Sequence, residues 1–172
     1  NNLAAVHIMK EEYSEAKSVI ENAISKAGAN DSLHLNMGIV LRNMGENEKA
    51  MASYLKADNA GLATGYNKSI IHIINGDYDT ALESQPEAMC DYNTALANEL
   101  KGQHDAAIEE INCQKDPSAD DYYLRAIAEA SKGNVDEMAA SVRRAVGEDA
   151  SLASKALKDM EFYGFKDRDE FK

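Results

Sequence analysis

Four glycines, Gly45, Gly76, Gly102 and Gly133, recur in one fixed setting: each lies seven residues after a small residue and five before Ala or Met. The small residues are Gly38, Ser69, Ala95 and Ala126, and the partners beyond the glycines are Ala50, Ala81, Ala107 and Met138, always twelve residues later. Ala4 and Ala16 extend the rule to the start of the chain, with Glu11 standing where the other units have glycine. Within a unit the spacing is constant, whereas the interval between units runs through 34, 31, 26 and 31 residues. A repeated helix-turn-helix predicts this pattern, because insertions collect between hairpins and not inside them. Small side chains at both ends of the twelve-residue step let two antiparallel helices cross about 8–10 Å apart. The glycine ends the first helix in a left-handed conformation that costs other residues energy.

Three segments carry more than spacing. The run His34-Leu35-Asn36-Met37-Gly38 is followed by Leu41, Gly45, Ala50, Tyr54 and Ala57. Asn75-Gly76-Asp77-Tyr78-Asp79-Thr80-Ala81-Leu82 repeats the turn and the opening of the second helix, and Lys10-Glu11-Glu12-Tyr13-Ser14-Glu15-Ala16 is a near relative. These units resemble tetratricopeptide repeats, in which an aromatic, a large apolar residue and a glycine in the first helix are followed by alanine, an aromatic and alanine in the second; the run from His34 lacks only the opening aromatic. The resemblance implies an all-α fold: a right-handed α-solenoid of about five helix-turn-helix repeats, near 1–28, 29–59, 60–86, 87–117 and 118–149, with a C-terminal capping helix and cap over 150–172. The chain departs from the family pattern in lacking Trp, in keeping the first-helix glycine only at Gly38, and in placing Met138 where alanine is usual.

Two prolines in 172 residues suit long helices. The expected helices lie near 1–9 and 13–27, 31–44 and 47–58, 61–75 and 78–85, 87–101 and 104–114, 119–132 and 135–147, closing with one near 150–160. Pro86 lacks the amide that would continue a helix, so the helix opened by Tyr78 is expected to stop near Gln85. The chain begins at Asn1, already inside the first helix of the register, as expected of a fragment of a longer or processed protein. No apolar run approaches the roughly 18–20 residues needed to cross a bilayer. All three phenylalanines, Phe162, Phe165 and Phe171, fall near the end beside Tyr163, where they are expected to cover the exposed face of the last hairpin. A docking element for a neighbouring domain or second subunit is the other reading of this aromatic tail.

A formal charge of −12, from 30 acidic and 18 basic residues, repels phosphate backbones and argues against nucleic acid as a partner. No constellation of serine, histidine and carboxylate forms a nucleophile turn, and no Gly-rich phosphate cradle occurs, so neither an enzyme nor a cofactor is expected. His7, His34, His72 and His104 are too dispersed for paired zinc ligation, and His7 and His72 read as satisfied, half-buried histidines. Asp116, Asp120 and Asp121 lack the glycine-centred loop of a calcium hand and read as helix-capping aspartates, so no metal is expected. Cys90 and Cys113 fall near the start of one helix and the end of its antiparallel partner. They pair as a disulfide in an exported protein or serve as reduced apolar fillers in a cytosolic one. The resemblance is compatible with either a bacterial cell envelope or the cytoplasm.

Two residues before the small residue of each unit stand Asn2, Asn36, Asn67 and Asn93, replaced in the last unit by Leu124. An amide offers donor and acceptor together, so a row of amides can hold a peptide backbone without reading its side chains. The resemblance implies that this slot faces a concave groove that binds a partner. Leu35, Ile39, Tyr66, Ile70, Tyr92, Leu96, Tyr123 and Ile127 recur beside the amides as candidate apolar contacts. The expected function is therefore a non-catalytic protein-interaction scaffold with a protein or peptide partner. The alternatives are a structural or oligomerising arm whose groove is filled by its own tail, and a recognition module of a larger cell-envelope protein.

Overall fold

Five chain reversals share one backbone device. In the computed structural model, which describes residues 2–57, 62–85, 90–165 and 168, Gly45, Gly76, Gly102 and Gly133 adopt φ between 74° and 83°, the left-handed region. The amide after each glycine reaches back five residues: Glu46 donates to Leu41, Asp77 to His72, Gln103 to Asn98 and Asn134 to Glu129, at 2.8–2.9 Å. This closure satisfies carbonyls that the end of a helix would leave orphaned. Glu11 takes the same place in the first hairpin with φ 59°, and Glu12 N–H donates to the His7 carbonyl at 2.9 Å. Among the described residues Glu11 is the one non-glycine residue with positive φ.

The chain is all-α, with no strand among the described residues. Residues 1–86 form one compact unit and residues 87–172 a second. In the first, α1 (Asn2–Met9) pairs with α2 (Tyr13–Ala27), α3 (Asp31–Asn43) with α4 (Asn47–Lys56), and α5 (Leu62–Asn75) with α6 (Tyr78–Glu83). In the second, α7 (Tyr92–Leu100) pairs with α8 (His104–Asn112) and α9 (Ala119–Lys132) with α10 (Val135–Glu148), followed by α11 (Leu152–Ala156) and a 3₁₀ helix, Met160–Phe165. Among the described residues no helix is long and apolar enough to cross a membrane.

Both ends of every twelve-residue step are buried: Ala4 and Ala16, Gly38 and Ala50, Ser69 and Ala81, Ala95 and Ala107, Ala126 and Met138. Between α3 and α4 the approach leaves no room for a side chain on the first helix. A Cβ added to Gly38 would stand 2.8 Å from Cζ of Tyr54 and nearer still to Cε1 and Cδ1 of the same ring. Glycine is required there because the fully buried Tyr54 occupies the space a side chain would take. In α5 the small residue is polar, and its hydroxyl is satisfied: Ser69 Oγ donates to the Tyr66 carbonyl at 2.9 Å and accepts from Gln85 Nε2 at 2.8 Å.

The largest departures from the expected helix limits are at α7 and at the C-terminal end. The seventh helix was expected from residue 87 and begins at Tyr92, because Asp91 caps it by accepting from Asn93 and Thr94 N–H at 2.8 and 3.2 Å. The sixth ends at Glu83, and Pro86, held to stop it, lies outside the described residues. The closing helix near 150–160 is instead the five-residue α11 and the separate 3₁₀ turn. Phe162 of that turn is fully buried with Tyr122, Tyr123, Met138 and Leu152, and Phe165 packs against the same cluster. Phe171 lies outside the described residues.

Candidate partner-binding face

The amide positions are carried on the first helices of successive hairpins, and their exposure falls along the chain. Asn2 is exposed on α1, Asn36 half-buried on α3, Asn67 buried on α5 and Asn93 buried on α7. Asn67 Oδ1 lies 3.4 Å from the Tyr54 hydroxyl, which donates to it. Burial pushes that phenol up to about 12, so it stays a donor throughout the physiological range. At the fifth position Leu124 joins Ala95 and Ile111 in the core.

The neighbouring apolar positions divide in the same way. In the first unit Leu35 and Ile39 pack from one side on the cluster of Leu41, Ala50, Tyr54 and Ile71, while Tyr66 is 36% exposed and Ile70 half-buried. In the second unit Tyr92 and Leu96 lean on Ala95, Ile111 and Leu124, and Ile127 leans on the core of the last hairpin. Tyr123 is buried. Its ring meets Phe162 edge-to-face at 5.6 Å, its hydroxyl donates to Asp159 at 2.8 Å, and the Lys155 ammonium sits 4.3 Å from its centroid. Burial, reinforced by the bond to Asp159, holds its hydroxyl well above the ordinary phenol range.

Other polar groups resolve into structural roles or into features that spacing did not reveal. Asp121 accepts from Ser118 N–H at 2.8 Å, from Ser118 Oγ at 2.6 Å and from Gln114 Nε2 at 2.7 Å, closing a capping box at the start of α9. His72 corrects the expectation of a satisfied histidine: its Nδ1 is buried with no hydrogen-bond partner among the described residues. It lines a cleft of about 420 Å³ with Asn47, Glu48, Met51, Ile71, Asn75 and Asp77. In the second unit Lys115, Arg125 and Arg144 line a cleft of about 330 Å³ beside Asp116 and Tyr122, with Arg144 4.6 Å above the Tyr122 ring. Both clefts draw their walls from turns and from adjacent hairpins, so no single repeat displays them as a pattern.

Cys90 and Cys113 are joined by a disulfide with Cα atoms 5.6 Å apart. It ties the residue preceding the Asp91 cap to the C-cap of α8, so of the bridged and reduced readings the structure has the bridged one. Closing a loop of this length removes unfolded-state entropy worth about 3 kcal/mol. Beside it, the Glu110 carboxyl is held above the usual carboxylate range by burial first and then by Asp91 and Glu109.

The Tetratricopeptide repeat family model matches residues 32–60, which takes in the α3–α4 hairpin and its Gly45 turn. No curated protein matches the chain.

Proposed function

The chain carries a tetratricopeptide repeat over residues 32–60, and from that premise we propose a non-catalytic scaffold that holds an extended segment of a protein partner against the first-helix faces of its hairpins. Tetratricopeptide repeats mediate protein–protein interactions. The observation offered in support of the finer reading is that Asn36 on α3 and Tyr66 on α5, consecutive first helices of one unit, both keep solvent-accessible surface. The amide supplies both hydrogen-bonding senses to a peptide backbone, and the ring supplies apolar area at low entropic cost. Asn2, Leu35, Ile39 and Ile70 extend that face in the first unit. In the second unit Tyr92, Leu96 and Ile127 hold the corresponding positions, whereas Asn93 and Tyr123 there, like Asn67 in the first unit, are buried and act only through the packing.

A second reading, in which the groove is filled by the chain's own tail, draws support from Phe162 lying on Tyr123. Peptides selected from a random library on the purified chain separate the two. Under the first reading, Asn36→Ala and Tyr66→Ala each weaken the selected peptides at least about tenfold, or about 1.4 kcal/mol, with unchanged thermal unfolding. Under the second, removing residues 161–172 creates binding that the parent lacks. Undiminished binding by a folded Asn36→Ala, Asn67→Ala, Asn93→Ala triple variant removes the amide row from the mechanism.

A further inference from the structure

The end of α8 places a carboxylate beside a sulfur by helical geometry alone. Glu110 and Cys113 are three residues apart, so their side chains share one face of the last turn. Cys90, held just ahead of the Asp91 cap, brings a second sulfur to the same point. The donor atoms of Cys90, Glu110 and Cys113 all lie within 4.8 Å of one another. Glu110 Oε2 is buried and has no hydrogen-bond partner among the described residues. The charged neighbours that act on it, Asp91 and Glu109, are both negative. An acceptor with no donor, in a locally negative field and against two sulfurs, is matched by a cation.

We propose that Cys90, Cys113 and Glu110 form a redox-gated site for a thiolate-binding divalent cation of the zinc type, closed while the disulfide is intact and opened by its reduction. A disulfide sulfur carries no anionic lone pair, so only the thiolates ligate strongly. Reduction by an external dithiol proceeds through a mixed disulfide. Two electrons pass to the cysteine pair, the dithiol leaves as its own disulfide, and both cysteines are released as thiols. Metal binding then displaces one proton from each thiol, so the cation, two thiols and the Glu110 carboxylate yield the three-ligand complex and two protons. Zinc–thiolate bonds of about 2.3 Å in a tetrahedron set the sulfurs about 3.8 Å apart, which side-chain rotation reaches from Cα atoms 5.6 Å apart. Two thiolates favour zinc over calcium or magnesium, and three protein ligands leave a fourth position for water or a partner's donor. The α7–α8 hairpin is thereby tied in both redox states, by a covalent bond in one and by a metal in the other.

Cobalt(II) is the probe, because its thiolate complexes absorb in the near ultraviolet. The full chain is titrated in oxidised form and after phosphine reduction with the reductant removed, with helicity followed by circular dichroism. The reduced, helical protein is expected to take up one equivalent with thiolate-to-cobalt charge-transfer absorption and to release it to zinc, while the oxidised protein shows neither. Glu110→Gln keeps both sulfurs and should weaken binding at least about tenfold. A folded Cys90→Ser, Cys113→Ser variant, which lacks the bridge as the reduced parent does, should lose the absorption altogether. The proposal is overturned by equal uptake in the oxidised form, by uptake without charge transfer, by uptake only with loss of helix, or by unchanged affinity in Glu110→Gln.

Discussion

The hairpins α3–α4 and α9–α10 obey one backbone rule with opposite distributions of volume. At the first crossing, glycine at position 38 yields all its space to the ring of Tyr54. At the last, Ala126 faces Met138, and the remaining space is filled from the first helix by Tyr122 and Tyr123 and from the C-terminal 3₁₀ turn by Phe162. Both close through a left-handed glycine and the same five-residue return hydrogen bond. The turn and the summed volume at the crossing define the repeat, and the side chain that supplies the volume is free to move from one helix to the other. The family match over 32–60 falls on the hairpin in which glycine, aromatic and alanine meet at one crossing.

The comparison breaks most visibly at the crossings. Gly38→Ala should destabilise by about 3 kcal/mol, the upper end of overpacking, because the new methyl meets a ring held on all sides. Met138→Ala has the opposite defect, a void in place of a clash, and should cost about 2 kcal/mol, since the neighbouring aromatics can partly close over it. Denaturant unfolding of both variants checks the order. Equal effects would mean that the two crossings are packed alike.

The turns give a smaller effect that differs in sign. Gly45→Ala forces a Cβ into the left-handed region and should cost about 1 kcal/mol, while Glu11→Gly relieves the same strain and should stabilise by roughly 0.5 kcal/mol after the entropic cost of glycine. Thermal unfolding of the pair sharpens the claim that Glu11 stands in a glycine's place. A stability loss in Glu11→Gly would contradict it.

The parts of this fold that a sequence displays are those enforced locally. A left-handed turn favours glycine, so Gly45, Gly76, Gly102 and Gly133 mark the hairpins, and the constant spacing also placed Glu11 in the same turn. The start of α7 was less visible, because it is marked by a side-chain cap from Asp91 and not by the repeat spacing. The candidate face was legible as a recurrence of Asn36, Asn67 and Asn93 but not as a surface. How much of each amide is covered depends on the neighbouring hairpin, and Tyr54 reaching Asn67 from α4 is one instance. The clefts at His72 and at Arg125 and Arg144, and the approach of Glu110 to the disulfide, arise from residues far from any shared pattern.

A double-mutant cycle between Gly38→Ala and Tyr54→Leu tests most directly whether the compact-residue step sets the helix crossing. The new methyl is harmful only while the ring occupies its space, so the double variant should be more stable than the sum of the two losses by at least about 1 kcal/mol. Losses that add to within about 0.5 kcal/mol would show that Gly38 and Tyr54 do not share that space, and would contradict the register on which the hairpins are built.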